Sequence, residues 1–242
     1  MTENQGVESI EIERKYDVLP GVSLPPAPVF AEAGLEASQP VEYHLIAKYF
    51  DTPDRALARL GIAVRSRAGG KDAGWHLKRK GDGGNREIGW PESAEMPAAL
   101  VAQIRELIGQ EAASRLRPIA ELRTRRIVVV LSAPGAGGVV ELADDEIRAF
   151  DRQAPDPAGE IRRAWHEWES EIINDADPTW LDRVEPVLLG GGGAPSPSSA
   201  KIARATGQLA AVARSKGADA SVIEMLEAID LADQAAARRL DA

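Results

Sequence analysis

The stretch ESIEIERKYDV, residues 8–18, decides how the chain is read. Side chains two apart on a β-strand share a face. Glu11, Glu13 and Lys15 therefore stand together, opposite Ile10, Ile12 and Tyr16. The same pattern recurs outward from this strand. IAVRSRA (62–68) sets Arg65 and Arg67 opposite Val64 and Ser66, and GWHLKRK (74–80) sets His76, Lys78 and Lys80 opposite Trp75 and Leu77. ELRTRRIVVVL (121–131) aligns Arg123 with Arg125. GGVVELADDEIRAF (137–150) aligns Glu141 with Asp145 across Ala143, and alternation from Glu141 favours Asp145 over Asp144 on that face. AWHEWESEII (164–173) aligns Glu167, Glu169 and Glu171 opposite Trp168 and Ile172. HLIAKYFDT (44–52) and REIGW (86–90) complete the set, with AGGKDAG and GDGGN as turns.

Helical spacing marks 97–113, a segment from Asp177-Pro178 to about Leu189, a stretch of about 199–216, and 219–241. GGGGAPSPSS (190–199) is a flexible break. It lacks the Lys-Ser/Thr of a phosphate loop and does not follow a strand. About eight antiparallel strands can close on themselves. The expected fold is α+β, an eight-stranded antiparallel β-barrel, or tunnel, with flanking helices. Residues 1–217 form the tunnel domain and 218–242 a helical appendage.

One polar strand face usually looks into water. Six ladders, each almost pure in sign, are less ordinary, because adjacent same-face carboxylates repel. A divalent cation offsets that repulsion, and carboxylate oxygens suit Mg²⁺ or Mn²⁺. Arginine forks match phosphate oxygens. An enclosure with a carboxylate wall and an Arg/Lys wall suits a compact polyanion with its metal, and a triphosphate fits that description.

The chain has 242 residues, of which 44% are hydrophobic and 28% charged, with a net charge of −9 and no cysteine. This composition predicts a globular, cytoplasmic protein without disulfides or thiolate metal sites. No apolar run reaches membrane-spanning length, and the acidic N-terminus MTENQGVESIEIERK does not read as a secretory signal. The negative total argues against nucleic acid on the outer surface, though local charge in a cavity can oppose it.

The order of motifs resembles the CYTH family, also called triphosphate tunnel metalloenzymes. The resemblance rests on Glu11-x-Glu13-x-Lys15, Tyr49-Phe50-Asp51-Thr52 with Arg65-Ser66-Arg67, Leu77-Lys78 with Arg86-Glu87, and Arg123-Thr124-Arg125-Arg126. It continues with Glu141 to Asp145, Glu167-Trp168-Glu169 and Ser198-Ser199-Ala200-Lys201. The resemblance implies a charged tunnel that hydrolyses a triphosphate. Metal would be held by Glu11, Glu13, Asp145, Glu167, Glu169 and Glu171, and phosphate by Lys15, Arg65, Arg67, Lys78, Arg123, Arg125 and Lys201. Glu87 would orient the basic wall. Catalysis would rest on Glu11, Glu13, Lys15, Lys78, Glu167 and Glu169.

Inorganic triphosphate is the favoured substrate. Thiamine triphosphate, or binding of polyphosphate without turnover, is the alternative. Gly6-Val7-Glu8 stands where cyclase members carry His-Phe, which disfavours an adenylate cyclase. Residues 219–242 resemble the opening of a CHAD domain, a helical module linked to polyphosphate. His76 reads as a spectator, and the five tryptophans read as core or rim residues.

Overall fold

A computed structural model describes residues 6–81, 84–153, 161–198 and 200–240. Residues 1–5, Asp82 and Gly83 of the GDGGN turn, Ser199 and the last two residues, all named in the sequence reading, lie outside the described residues. In chain order the elements are β1 (Val7–Glu11), β2 (Glu13–Val18), α1 (Ala27–Glu32), β3 (Glu36–Ala37), β4 (Val41–Asp51), α2 (Ala56–Arg59), β5 (Ile62–Ala68) and β6 (Gly74–Gly81). They continue with β7 (Gly84–Pro91), α3 (Ala98–Ile108), α4 (Gln110–Ala113), β8 (Arg117–Ala133), β9 (Gly137–Asp151) and β10 (Ile161–Ile172). The chain closes with α5 (Trp180–Gly190), β11 (Ala194–Pro195), α6 (Lys201–Ala205), α7 (Leu209–Ser215) and α8 (Ala220–Leu240).

The sheet is antiparallel, with order β1-β7-β6-β5-β4-β8-β9-β10-β2-β11 and β3 paired to β8. This corrects the expectation of an eight-stranded closed barrel: among the described residues there are eleven strands, and the hydrogen-bonded path through them is not closed. The physical reason lies in the opening stretch. Residues 8–18 do not form one strand. They break at Ile12, so β1 pairs with β7 while β2 pairs with β10. Ile12 alone joins the two, and its carbonyl accepts from the Ile172 amide at 2.9 Å. One piece of chain thus borders both ends of the path. Lys71, in the β5–β6 turn, reaches Glu141 on β9 at 3.0 Å. Those elements are not neighbours in the sheet, so the charged face curls inward.

The helices cover the opposite face. Tyr16, Leu131, Leu142 and Trp168 pack under α1 and α5, with Phe30, Leu181, Val184 and Leu188 completing that cluster. Val64, Trp75, Leu77 and Trp90 pack with Leu57 of α2 and Leu100 and Ile104 of α3. The alternation therefore sends aliphatic and aromatic groups outward under helices and leaves the charged groups on the inner face. A third cluster, with Leu122, Ile147, Ala149, Trp165 and Ala205 of α6, shares the inner face and floors it.

Two expected helices are interrupted at glycines. Gly109 (φ 81) separates α3 from α4, and Gly207 (φ 65) separates α6 from α7. At Gly207 a Cβ would come within 2.2 Å of Arg163 Nη2, the movable tip of a long side chain, so it is the left-handed backbone that requires glycine. The expected helix over 219–241 is α8, which packs against β10 and buries Leu226, Asp233 and Ala237.

Candidate active site

Strand register builds the acidic wall row by row. Arg126 on β8 stands across from Asp145 on β9, which stands across from Glu167 on β10 and then Asp17 on β2. The next row is Ala143, Glu169 and Lys15, and the next is Glu141, Glu171 and Glu13. Carboxylate oxygens of Asp145, Glu167 and Glu169 all lie within 4.8 Å of one another.

Three cations hold this group together. Arg126 donates two hydrogen bonds to Asp145, at 2.7 and 2.6 Å, and one to Glu169 at 2.7 Å. Lys201 contacts Asp145 and lies 3.1 Å from Glu167 and 3.4 Å from Glu169. Lys15 contacts Glu169 and donates to Glu13 at 2.8 Å. Burial disfavours the Lys15 ammonium, yet Glu169 and Glu13 outweigh it and hold its pKa well above the usual lysine range. Burial likewise opposes ionisation of Glu169, but Lys15, Lys201 and Arg126 keep its pKa well below the usual carboxylate range.

The basic wall comes from β5, β6 and β7. Arg65 lies across from His76, and Lys78 from Glu87. Glu87 accepts from His76 Nδ1 at 2.6 Å and lies 3.3 Å from Lys78 and 3.7 Å from Arg65. Burial opposes its ionisation, but His76, Arg65 and Lys78 hold its pKa far down. His76 is more than a spectator: it is buried, and its second nitrogen faces the Asp72 carbonyl at 2.9 Å. Lys78 also contacts Glu11. Burial, with Arg65 and Arg126 nearby, pulls the Arg67 pKa down to about 9. Asp72 contacts this guanidinium, yet the buried Nε atoms of Arg65 and Arg67 have no hydrogen-bond partner. Two buried donors without acceptors, between like charges, form a site that favours an anion.

Two expected phosphate ligands are corrected. Arg125 is 42% exposed on the other face, paired with Glu42 at 2.8 Å and Glu146 at 3.5 Å. Arg123 is 53% exposed, bound to Glu121 and stacked 4.4 Å above the Phe150 ring. The inward group on this strand is Arg126, because register puts it on the face of Asp145. The sequence alone does not choose among these arginines; the pairing of Arg126 with Asp145 does.

The acidic residues also divide. Asp145, Glu167 and Glu169 cluster, whereas Glu11 and Glu13 line a cavity of about 390 Å³ with Lys15, Lys80, Ser196 and Ser198. Burial pushes the Glu171 carboxyl up to about 7, with Glu11 and Glu169 adding to the shift. Burial also raises Glu11, against the pull of Lys78. The donor set fits a divalent hard cation. Its members are all oxygens, two resist ionisation through crowding and burial, and Glu167 Oε1 is buried with the Lys201 ammonium 3.1 Å away but no well-aligned hydrogen bond.

The motif Asp51-Thr52 acts elsewhere. Asp51 accepts from the amides of Thr52, Leu57 and Ala58 at 2.7, 2.9 and 3.1 Å, and Thr52 Oγ1 accepts from Ala56 N at 2.8 Å. These bonds cap α2 at the link from β4 to β5.

The sequence profile of the CYTH domain matches residues 9–176, a span holding the inward charged residues of the strands from Glu11 to Glu171. The chain belongs to the CYTH family. Two Mycobacterium tuberculosis relatives are uncharacterized protein Rv2226 of strain H37Rv and uncharacterized protein MT2285 of strain CDC 1551. Each is 34% identical over 210 residues, which is 82% of this chain and 40% of the relative. This CYTH chain thus spans about two fifths of the length of those relatives. Among solved structures, a Bacillus halodurans protein described as a candidate adenylate cyclase aligns with a TM-score of 0.55 at 20% identity. That alignment covers 81% of this chain and 97% of that one, and it supports the fold alone. HpAC1 from Hippeastrum, described as a candidate adenylyl cyclase with a dominant triphosphatase activity, aligns at 0.46 and 16% identity, over 88% and 99% of the two chains. It is too distant to carry an argument. No helix among the described residues is long and apolar enough to cross a membrane, which leaves β-strands unaddressed.

Proposed function

We propose that this CYTH chain hydrolyses a triphosphate, with inorganic triphosphate as the first substrate, inside the curled sheet acting as a tunnel. One observation carries the reading: the unpartnered buried donors of Arg65 and Arg67 face the same interior as the carboxylate group Asp145, Glu167 and Glu169. Arg65, Arg67 and Lys78 hold phosphoryl oxygens, and Glu87 keeps Arg65 and Lys78 in place. Arg126 takes the phosphate-wall role first assigned to Arg123 and Arg125. Lys15 and Lys201 sit among the carboxylates and balance charge there, so they reach a bound phosphate only by leaving those pairs, as when a metal takes their place. Mg²⁺ or Mn²⁺, held by Asp145, Glu167 and Glu169 with Glu11, Glu13 and Glu171 nearby, would neutralise phosphoryl charge and lower the pKa of bound water. Hydrolysis adds one water across the terminal P–O–P link and yields orthophosphate and diphosphate. Positioning and charge neutralisation do most of the work in this chemistry.

The same cations, already seated on Asp145 and Glu169, support a second reading as a polyphosphate-binding module without turnover. A phosphate-release panel separates the two. Triphosphate, thiamine triphosphate, ATP and long-chain polyphosphate are each incubated with Mg²⁺ and with Mn²⁺. Release that is fastest from triphosphate and stops with chelator supports hydrolysis. Tight binding without release supports the module, and cyclic AMP from ATP would replace both.

A further inference from the structure

The carboxylate Glu167 is gripped from behind, and the grip runs to the last helix. Trp165 Nε1 donates to Glu167 Oε2 at 2.6 Å. The Arg204 guanidinium lies over the Trp165 ring at 4.9 Å, and its Nη1 is 3.8 Å from the same Glu167 oxygen. Arg204 is in turn fixed by Asp233 of α8 through two bonds, at 2.7 and 2.9 Å, and by Asp17 at 2.6 Å. Arg204 and Asp233 are each only about 5% exposed. With Oε2 committed to Trp165, Glu167 turns Oε1 to the interior, where it is buried, makes no well-aligned hydrogen bond and has the Lys201 ammonium 3.1 Å away, a cation whose place a metal would take.

We propose that Asp233 is a positioning residue, acting through Arg204 and Trp165 to present Glu167 to a divalent cation. The inference rests on the metal-dependent reading of the site given above. It makes α8, which the sequence assigns to an appendage, a working part of the tunnel. Groups that orient a metal ligand typically change metal affinity by about 10–100-fold when removed.

The test is Mn²⁺ binding by electron paramagnetic resonance on the full chain, with melting temperature measured in parallel. Asp233→Asn is expected to weaken Mn²⁺ about tenfold or more. Trp165→Phe keeps a ring beneath Arg204 but removes the donor to Glu167, and is expected to weaken Mn²⁺ to a similar degree. The double variant should lose little beyond either single change. Asp230→Asn is the control: Asp230 also ties α8 to β10, through Arg163 at 2.5 Å, but does not touch Arg204. It should keep Mn²⁺ affinity within about twofold of the parent. Equal losses for Asp230→Asn and Asp233→Asn would reduce the grip to simple helix docking and overturn the proposal. Unchanged affinity in both Asp233→Asn and Trp165→Phe would overturn it too. If Asp233→Asn fails to fold, Trp165→Phe alone decides. A parent chain that binds no Mn²⁺ refutes the underlying metal reading instead, and the proposal with it.

Discussion

Arg67 is a cation in the wrong place for an empty protein interior. It is 6% exposed, its carboxylate contact is the half-exposed Asp72, and burial with Arg65 and Arg126 nearby lowers its pKa to about 9. A bound polyanion removes that repulsion and satisfies the idle Nε donors. Arg67→Gln should therefore weaken triphosphate binding by roughly 10–100-fold in calorimetry, the worth of one or two charge-assisted hydrogen bonds. Arg125→Gln, which breaks only exposed pairs, should stay within about threefold. His166 gives a second prediction, away from the phosphate site. Its ring nitrogens face Asp144 at 2.5 Å and the Leu19 carbonyl at 3.2 Å, both acceptors. Burial lowers its pKa, but Asp144 and Leu19 raise it further, so the net shift is upward from 6.5. Its contribution to stability is fully present below pH 6.5 and is lost as pH rises through the raised value. The gap in unfolding free energy between the parent and His166→Gln, read from urea denaturation, should be widest near pH 6, at about 1–3 kcal/mol, and should shrink toward pH 9. A gap that widens with pH would reverse the assignment. Most inward residues were legible from alternation alone: Glu13, Lys15, Arg65, Lys78, Glu167 and Glu169 all share the inner face. Arg126 was not, because three arginines in four positions leave parity undecided until the pairing with β9 is known. A one-residue slip sends every side chain to the opposite face.

At the scale of elements, α2 is one turn long and depends on its cap. Asp51 is 3% exposed and accepts three backbone amides. Asp51→Ala strands those buried donors and should cost about 2–4 kcal/mol. For a chain of this size that lowers the melting temperature by about 4–16 °C. Asp51→Asn, which keeps acceptor oxygen, should recover much of the loss. The cap also explains why Tyr-Phe-Asp-Thr reads as a motif although its aspartate touches no interior charge. The long hairpin β8–β9 and the acidic strand β10 follow openly from their alternating patterns. The break at Ile12 does not, because alternation continues unchanged through a bend and gives no local sign of a change of partner. Strands of two residues, β3 and β11, are likewise too short to show a period. Gly109 and Gly207 do carry a signal, since a glycine inside a helical pattern can end it. Read that way, each expected helix divides in two.

Across the whole molecule, net charge and local charge point in opposite directions. The chain carries −9 in total, yet it gathers Arg65, Arg67, Lys78, Arg126, Lys15 and Lys201 around one interior. Burial on this scale is costly for charge, and only pairing or a ligand sustains it. The helices make the arrangement possible by taking the apolar faces of the strands, so that the polar faces are left to meet each other. That division was readable as sign-pure ladders before any coordinates, whereas the open path of the sheet depended on long-range pairing. The central claim is that one curled face holds both a triphosphate and its metal. Anomalous diffraction from crystals grown with Mn²⁺ and triphosphate tests it most directly. The account predicts a manganese peak among Asp145, Glu167 and Glu169, with phosphate density on Arg65, Arg67 and Arg126. Manganese and phosphate on the outer face, beside Glu42, Arg123 and Arg125, would contradict it.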